Sequence, residues 1–426
     1  MELHKPVLYV GDLDMISDIT VKDFDYFVDK RNRTFSPVFA RMLPFLQGRE
    51  WREKRAEISP TFSSGKLKTM LPLFLRTADN LSRFLGEEMT TTSAGAVNMK
   101  DAFGRYTMDN IASCSFGIDS NSFENRNTEL TRQASAFFKK PGVYGKFRAL
   151  CILFLPKWIS GLLPDPYAEV KSFFSQVTEA TIRNREATEA TRHDFLQLLL
   201  ETRNKSGRRC FSTDDIVTQS LLFFLAGYDT TANLLTFAAC ALATVPDCQE
   251  RVHRELDATL DCHGGRLSYE AVSELCYLDR VLDETLRMYP SLFHMERICT
   301  RPYTLPGTDV TIPAGTIVQL PLLPVHRDAR VYPEPLRFNP DRFLPEERQR
   351  RHPGAYRPFG AGPRGCLARR FALLEAKAAL AAVLRDWRLE PGPGTTPPPL
   401  PLDTNTTIVS PRPDCCFLRV VSRHRQ

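Results

Sequence analysis

The sequence predicts a mainly α-helical fold with a minor β portion. Long stretches carry apolar residues every three or four positions, which is the period of a helix with one buried face. The segments after Pro290 alternate apolar and polar residues and are separated by turn sequences such as Pro306-Gly307, a pattern typical of short strands. There is no internal repeat and no linker-like stretch, so we expect residues 1–426 to form one domain.

The first predicted element is a short strand at Val7–Val10. Ser212 or Thr213 is expected to cap the longest helix and Pro246 to end it. The predicted helices are Arg49–Ile58, Leu67–Glu88, Asp101–Cys114, Glu169–Arg185, Ser212–Val245, Asp247–Leu260, Leu278–Tyr289 and Leu367–Asp386. The later predicted strands are Thr304–Leu305, Val310–Ile312, Ile317–Leu320 and Cys416–Val421, and Val331–Gly365 is predicted to be irregular.

Composition and charge exclude several classes of protein. Hydrophobic residues make up 42% and charged residues 25% of the 426 positions, as in an ordinary globular protein. The net charge of +6 is small and the basic residues form no single run, so no nucleic-acid partner is expected. The 11 cysteines have no repeated spacing, which disfavours a secreted disulfide framework and favours a reducing compartment. The N-terminus has the pattern of neither a signal peptide nor a membrane anchor.

Two apolar stretches could contact a membrane. Ser220–Val245 is long enough to span one, but polar residues from Asp229 to Asn233 interrupt its centre, so a buried core helix is the better prediction. Ala149–Pro164 is broken by Pro156 and too short to span. It is expected either to join the core or to lie on a bilayer surface.

The segment Phe359–Cys366 (FGAGPRGC) carries the sharpest chemical signal. Its three glycines let the backbone turn tightly and approach a flat ligand closely. A cysteine at the start of a helix has its thiolate favoured by the helix dipole and free N–H groups, and Arg364 adds positive charge beside it. Such a thiolate suits ligation of a haem iron, where it favours O–O cleavage. The alternative is a glycine-rich loop with a buried, inert cysteine.

Glu284 and Arg287 lie three residues apart and can pair on one face of the helix that ends at Pro290. Taken alone, most such pairs are solvated helix surface. Arg342, which lies downstream and before the cysteine, could reach the same glutamate. The three residues would then form a buried charge network that fixes the irregular segment behind the cysteine loop.

The third motif is Ala226–Thr231, which places Asp229 and two threonines inside the apolar helix. Buried polar groups are costly unless they have partners or a task. Gly227 is expected to leave room for a ligand, and the threonine hydroxyls can bond back to the preceding turn. The motif is either a proton relay over a metal centre or a kinked core helix with a satisfied aspartate.

Trp51 and Arg55, one helical turn apart, form the fourth motif, and both can donate to an anionic group. Taken alone, the pair is more typical of a partly buried tryptophan beside a surface arginine.

The order and spacing of these four motifs resemble those of the cytochrome P-450 superfamily. The likeness extends from about Pro6 to Val421, nearly the whole chain. The stretches PTFSSGKLK (60–68), YTMDNIASCSFGID (106–119), FLAGYDTT and PVHRDAR (324–330) resemble the microsomal branch that oxidises drugs and steroids. The resemblance implies the mainly α cytochrome P-450 fold, with haem between the Ser212–Val245 helix and the Cys366 loop.

The resemblance also assigns roles to single residues. It implies that Cys366 is the proximal ligand of the haem iron and that Asp229 and Thr230 deliver protons to iron-bound dioxygen. The implied haem contacts are Trp51, Arg55, Arg297, Phe359 and Arg364, the implied structural triad is Glu284, Arg287 and Arg342, and the implied substrate contacts are Phe35, Ala226, Leu292 and Phe293.

The implied activity is a monooxygenase that uses haem b to insert one oxygen atom into a xenobiotic, a steroid or a fatty-acid-like compound. Electrons would come from NADPH through a flavoprotein reductase, with cytochrome b5 as a second partner. An acidic donor could dock near Arg364, Arg369 and Arg370. The implied location is the cytosolic face of the endoplasmic reticulum membrane.

Two features depart from the family pattern. Ala368 stands where the family usually has glycine, which places a methyl group towards the underside of the haem. The chain also begins where family members have already passed their membrane anchor and first helix. Two other functions remain open: a haem-thiolate isomerase or dehydratase that acts on peroxides without a reductase, and a non-catalytic haem-binding remnant.

Overall fold

The computed structural model describes residues 6–31, 37–92, 95–125, 129–130, 132–133, 151, 163–165, 167–188, 191–192, 194–205 and 212–423. Within these residues the chain is mainly α-helical and carries small sheets, which confirms the predicted fold class. The single-domain organisation stays a prediction.

The α-helices are numbered in chain order over the described residues. They are α1 Leu13–Ser17, α2 Pro37–Ala40, α3 Gly48–Ile58, α4 Ser64–Thr91, α5 Met99–Phe116, α6 Ala168–Thr188, α7 Phe195–Lys205, α8 Thr213–Thr244, α9 Pro246–Cys262, α10 Tyr269–Glu274, α11 Cys276–Met288, α12 Leu322–His326, α13 Pro345–Arg350 and α14 Arg369–Asp386. A π-helix covers Asp18–Lys22, and 3₁₀ turns cover Phe24–Tyr26, Ser59–Phe62, Pro340–Phe343, Gly362–Arg364 and Pro413–Cys415.

The strands form small sheets beside the helices. They are β1 Val7–Tyr9, β2 Val97–Asn98, β3 His294–Ile298, β4 Tyr303–Thr304, β5 Thr311–Ile312, β6 Ile317–Pro321, β7 Trp387–Pro391 and β8 Phe417–Ser422. In the first sheet β6 lies in the centre, parallel to β1 and antiparallel to β3. A second sheet has the order β2-β8-β7, and β4 and β5 form a hairpin.

The predicted helices are present, with ends displaced by a few residues. The longest, α8, begins after Ser212, whose hydroxyl accepts from Asp215 N at 3.0 Å while the Asp215 carboxylate accepts from Ser212 N at 3.1 Å. This reciprocal capping box satisfies two N–H groups that otherwise lack partners. Pro246 opens α9, where the missing N–H has no cost.

Several elements escaped sequence prediction. Neither α7 nor the strands β3 and β7 were predicted, and the segment Val331–Gly365 contains α13 and two 3₁₀ turns. The sequence of β3, HMERI, has little β propensity, and it is extended because all five residues pair with β6. The last helix starts at Arg369 rather than Leu367.

The core is built around α8, which packs against α5, α6 and α14. Among the described residues, α8 is the helix long and apolar enough to cross a membrane, with a mean hydropathy of 1.2, but 67% of that stretch is buried by its neighbours. The prediction of a buried core helix is therefore confirmed.

Candidate functional site

The loop that ends at Cys366 is folded tightly onto the N-terminal part of the chain. Gly362 has a φ of +64°, and a Cβ added there would lie 1.8 Å from the Thr20 carbonyl oxygen, so the position requires glycine. The loop closes through a hydrogen bond from Cys366 N to the Phe359 carbonyl at 2.7 Å. The sequence had suggested that Cys366 lies directly at the start of the last helix. In the structure it lies three residues before α14.

The Cys366 side chain is accessible to solvent but lies in a recess with protein on most sides. Burial is the largest influence on the thiol and raises its pKa. The Ala368 N–H and the positive charges of Arg55, Lys30 and Arg369 act in the opposite direction, because they favour the thiolate. Coordination to a metal ion deprotonates a thiol outright, so a raised pKa in the free protein does not oppose a ligand role.

Four cationic side chains gather beside this loop, namely Lys30, Arg55, Arg297 and Arg364. The pKa of Lys30 is lowered to about 7, first by burial and then by the charges of the three arginines. Burial lowers the pKa of Arg297 to about 10 and that of Arg364 to about 9. Asp29 offers one compensating carboxylate, 3.7 Å from Arg364. The cluster therefore keeps a marked excess of positive charge.

Two donors of this cluster lack acceptors. Arg364 donates to the carbonyls of Val28 at 2.8 Å and Leu46 at 2.7 Å, and Arg297 donates to Glu296 O at 2.9 Å. Arg297 Nε and Arg364 Nη1 are buried and have no partner within the described part of the chain. A buried donor left unpaired costs about 1–3 kcal/mol. The cluster thus fits an anionic ligand.

Trp51 organises two of these arginines. The indole is buried, with the Arg364 guanidinium 3.9 Å and the Arg55 guanidinium 5.8 Å from its ring centroid. Phe24 packs on it at 5.8 Å, and Arg55 donates to the Gly365 carbonyl at 2.8 Å. Trp51 and Arg55 are therefore parts of one cationic pocket rather than a tryptophan beside a surface arginine. Their contact with haem stays a prediction.

Arg364 cannot itself contact an acidic electron donor, because its side chain is 2% exposed. Arg369 and Arg370 are exposed and remain candidates for that contact. Phe359 is half-buried, with its ring 5.9 Å from the Arg369 guanidinium.

Glu284 and Arg287 form a pair in which both side chains are 0% exposed. Arg287 donates to both carboxylate oxygens, at 2.6 and 2.8 Å, and also to the His326 carbonyl at 2.8 Å. Glu284 accepts from Asn339 N at 2.9 Å and lies 3.4 Å from Arg342 Nε. The pair thus joins α11 to the segment that leads to the cysteine loop.

The Asp229 carboxylate in the middle of α8 is held from outside the helix. It lies 3.3 Å from Lys100 Nζ at the start of α5. Lys100 also donates to Ser410 Oγ at 2.7 Å and to Asn233 Oδ1. The polar residues that interrupt this apolar helix are therefore satisfied by a network that joins three parts of the chain.

Thr230 behaves differently, since its hydroxyl donates to the Ala226 carbonyl of its own helix at 2.6 Å. The expectation that Gly227 leaves room for a ligand is wrong. A Cβ there would lie 2.7 Å from Ile111 Cδ1 of α5, so this glycine allows the two helices to approach closely. Ala226 is exposed.

The remaining predicted substrate contacts are not brought together by the described residues. Leu292 and Phe293 lie between α11 and β3 and are 48% and 38% exposed. Phe35 and most of the apolar stretch Ala149–Pro164 lie outside the described residues. Their roles stay predictions.

Sequence reasoning missed Lys30 and Lys100. Lys100 is in the first turn of α5, where a positive charge opposes the helix dipole. That unfavourable placement could have indicated that Lys100 pairs with an acid from another part of the chain, as it does with Asp229. Lys30 carries no such signal, because its surroundings come from segments distant in the chain.

Comparison with known proteins gives a single family. The cytochrome P450 family model matches residues 2–417. The chain is 36% identical over 404 residues to cytochrome P450 3A31 of Mesocricetus auratus, covering 92% of this chain and 78% of that protein. It is 35% identical over 431 residues to cytochrome P450 3A9 of Rattus norvegicus, covering 98% and 83%. It is 34% identical over 385 residues to probable cytochrome P450 6a13 of Drosophila melanogaster, covering 89% and 77%.

Removal of Glu284 should strongly destabilise the protein. Glu284→Ala leaves the fully buried Arg287 without its carboxylate, which should lower the free energy of unfolding by about 3–5 kcal/mol. The measurement is denaturant unfolding, together with haem content per mole of protein.

Glu347 and Arg350 provide a matched control, because they form the same Glu-x-x-Arg pair on α13 with side chains 46% and 77% exposed. Glu347→Ala should cost at most about 1 kcal/mol. Equal losses of unfolding free energy in the two variants would show that burial does not increase the contribution of the Glu284 pair to stability.

Proposed function

The chain belongs to the cytochrome P450 family of haem-thiolate monooxygenases, and from that premise we propose that it inserts one oxygen atom of dioxygen into a lipophilic small molecule, using electrons from NADPH. The substrate class is a xenobiotic, a steroid or a fatty-acid-like compound. The observation that carries the proposal is the accessible Cys366 beside a cluster of buried cations that has unpaired donors.

The residues present fit haem b. Cys366 would ligate the iron, and Arg55, Arg297 and Arg364, joined by Lys30, would pair with the propionates. When bound, the haem supplies an iron centre whose thiolate ligand favours cleavage of the O–O bond. The chain itself contributes the ligand, the counter-charges and the protons.

Proton supply falls to Asp229 and Thr230. The Thr230 hydroxyl has only a bond to its own helix, so it can turn towards a ligand without breaking a contact between helices. Asp229 is an acid in the neighbouring position, held by Lys100 at 3.3 Å. A positioned alcohol backed by an acid is suited to move protons to a reacting group.

Electron supply would come from an acidic face of a flavoprotein reductase, with cytochrome b5 as a second donor. Arg369 and Arg370 are exposed at the start of α14, directly after the cysteine loop. Arg52 of α3 is 53% exposed and borders the same groove as Pro363. A membrane-bound reductase implies that the protein works at the cytosolic face of the endoplasmic reticulum.

Replacement of the proposed ligand gives the most direct test. Cys366→Ser should abolish the red-shifted Soret band of the reduced protein with carbon monoxide, because serine supplies no thiolate. Cys262→Ser, at another exposed cysteine, should leave the band unchanged. Retention of the band in Cys366→Ser would refute thiolate ligation by this residue.

Replacement of Thr230 tests the proton relay. Because general acid catalysis contributes about 10²–10⁴-fold, Thr230→Ala should reduce product formation per NADPH by about tenfold or more, with a matching rise in hydrogen peroxide. Haem content and dioxygen uptake should be largely retained. The measurement is product, peroxide and NADPH in the same reaction.

Thr244→Ala is the matched control, because Thr244 makes the same bond to its own helix, to Cys240 O at 2.7 Å, outside the proposed site. It should leave coupling unchanged. Undiminished coupling in Thr230→Ala would refute the relay. Product formation that needs no NADPH would instead favour the isomerase function.

Charge reversal tests the reductase contact. The double variant Arg369→Glu and Arg370→Glu should slow reduction by the flavoprotein about tenfold or more at low ionic strength, and salt should diminish the difference. Reduction by dithionite should be normal. Arg183→Glu on α6, 72% exposed, is the control and should have no effect. Equal rates in all three proteins would place the contact elsewhere.

A further inference from the structure

Glu375 is a buried acid without a counter-charge. It lies in the middle of α14, 0% exposed, and no described residue forms an ion pair with it. Asn110 Nδ2 of α5 donates to its Oε1 at 3.1 Å, and the Thr231 side chain of α8 lies beside the same carboxyl group. Tyr106 of α5 donates to the Glu375 backbone carbonyl at 2.9 Å. Three core helices therefore meet at this one side chain.

Two buried atoms at this junction have no partner in the described part of the chain, Glu375 Oε2 and Asn110 Oδ1. An ionised carboxylate can only accept hydrogen bonds, so it cannot satisfy the amide oxygen. A protonated carboxyl group has an O–H to donate. With Asn110 Nδ2 donating to Oε1 and Glu375 donating back to Oδ1, one proton removes both unsatisfied atoms.

The charges around Glu375 also favour the neutral form. Burial raises its pKa to about 8. The titratable groups that face it, Tyr106 and Cys114 of α5, have pKa values raised first by burial and then by Glu375, so they are neutral as well. Lys377, two residues along α14, is engaged at 3.1 Å with Asp279 of α11. Among the described residues, none of the side chains that shift the pKa of Glu375 is a cation.

We propose that Glu375 is a protonated carboxylic acid which, paired with Asn110, positions the proton-delivering turn of α8. Thr231 lies beside this acid and directly follows Thr230 in the sequence. Because successive side chains on a helix are about 100° apart, fixing Thr231 towards α14 also fixes the direction of Thr230. Since α14 follows the cysteine loop, the contact sets the relay turn relative to Cys366. The positioning role rests on the proposed function, whereas the protonation does not.

An infrared difference spectrum tests the protonation without turnover. At neutral pH, wild type minus Glu375→Gln should show the carbonyl stretch of a protonated carboxylic acid, above the amide band and shifted down in heavy water. Glu250→Gln, at a side chain 50% exposed, should show only carboxylate bands. Absence of the protonated band in the Glu375 difference would overturn the proposal.

The pH dependence of stability gives a second test. With a folded-state pKa of about 8 against 4.5 unfolded, Glu375 keeps a proton that the unfolded chain releases between these values. Relative to Glu375→Gln, the unfolding equilibrium constant of wild type should therefore rise about tenfold per pH unit through that window and level off above it. Parallel pH profiles would show that Glu375 is ionised when folded.

The positioning role is tested by Thr231→Val, which keeps shape but removes the hydroxyl. Hydrogen peroxide released per product should rise several-fold while haem content and the carbon monoxide spectrum stay normal. Thr236→Val, at another buried threonine of α8, is the control and should be silent. Unchanged coupling in Thr231→Val would overturn the positioning role. Unchanged coupling in Thr230→Ala instead would refute the relay, while the infrared result for Glu375 stands on its own.

Discussion

The Glu284–Arg287 pair is the interaction on which the segment leading to the cysteine loop depends. Both charges are fully buried, so each is tolerable only while the other is in place. Arg287 donates to the His326 carbonyl, and the His326 ring accepts from Arg357 N at 3.0 Å. Burial, followed by the charge of Arg287, lowers the pKa of His326 to about 3, so the ring stays neutral and can accept. Arg357 in turn donates to Thr20 Oγ1 at 2.7 Å.

This chain of contacts ends at the cysteine loop, because the Thr20 carbonyl lies where a side chain on Gly362 would be. A segment with little regular structure is thereby held by contacts with distant parts of the chain. The same region places Arg297 and Arg364 with unpaired donors among other cations. A ligand that brings carboxylates relieves both their repulsion and their missing bonds, and a ligand that binds only the folded state stabilises it. An anionic ligand bound at this cluster would therefore couple its own binding to the folding of the cysteine loop.

Sequence predicted those features whose partners are close along the chain. The cap at Ser212 and the Glu284–Arg287 pair each join residues three apart, so the sequence offered both as candidates. Features made by distant segments were missed or misjudged. The strand β3 exists because β6 pairs with it, and Gly227 was assigned to a ligand because nothing local shows that Ile111 faces it. The burial of Arg364 was missed for the same reason, since it depends on packing against Trp51 and not on neighbours in sequence.

Three consecutive polar residues in α8 show how much a local pattern leaves undetermined. Each violates the apolar character of the helix, and burial makes each costly without a partner. Asp229 is held by Lys100 from the start of α5, and Thr231 lies beside Glu375 of α14, so both face a neighbouring helix. Thr230 alone of the three is satisfied within its own helix, by the Ala226 carbonyl. Exchange of that partner breaks no tertiary contact. Of the three, Thr230 is therefore the residue free to turn its hydroxyl towards a bound ligand, while its neighbours keep the helix in register.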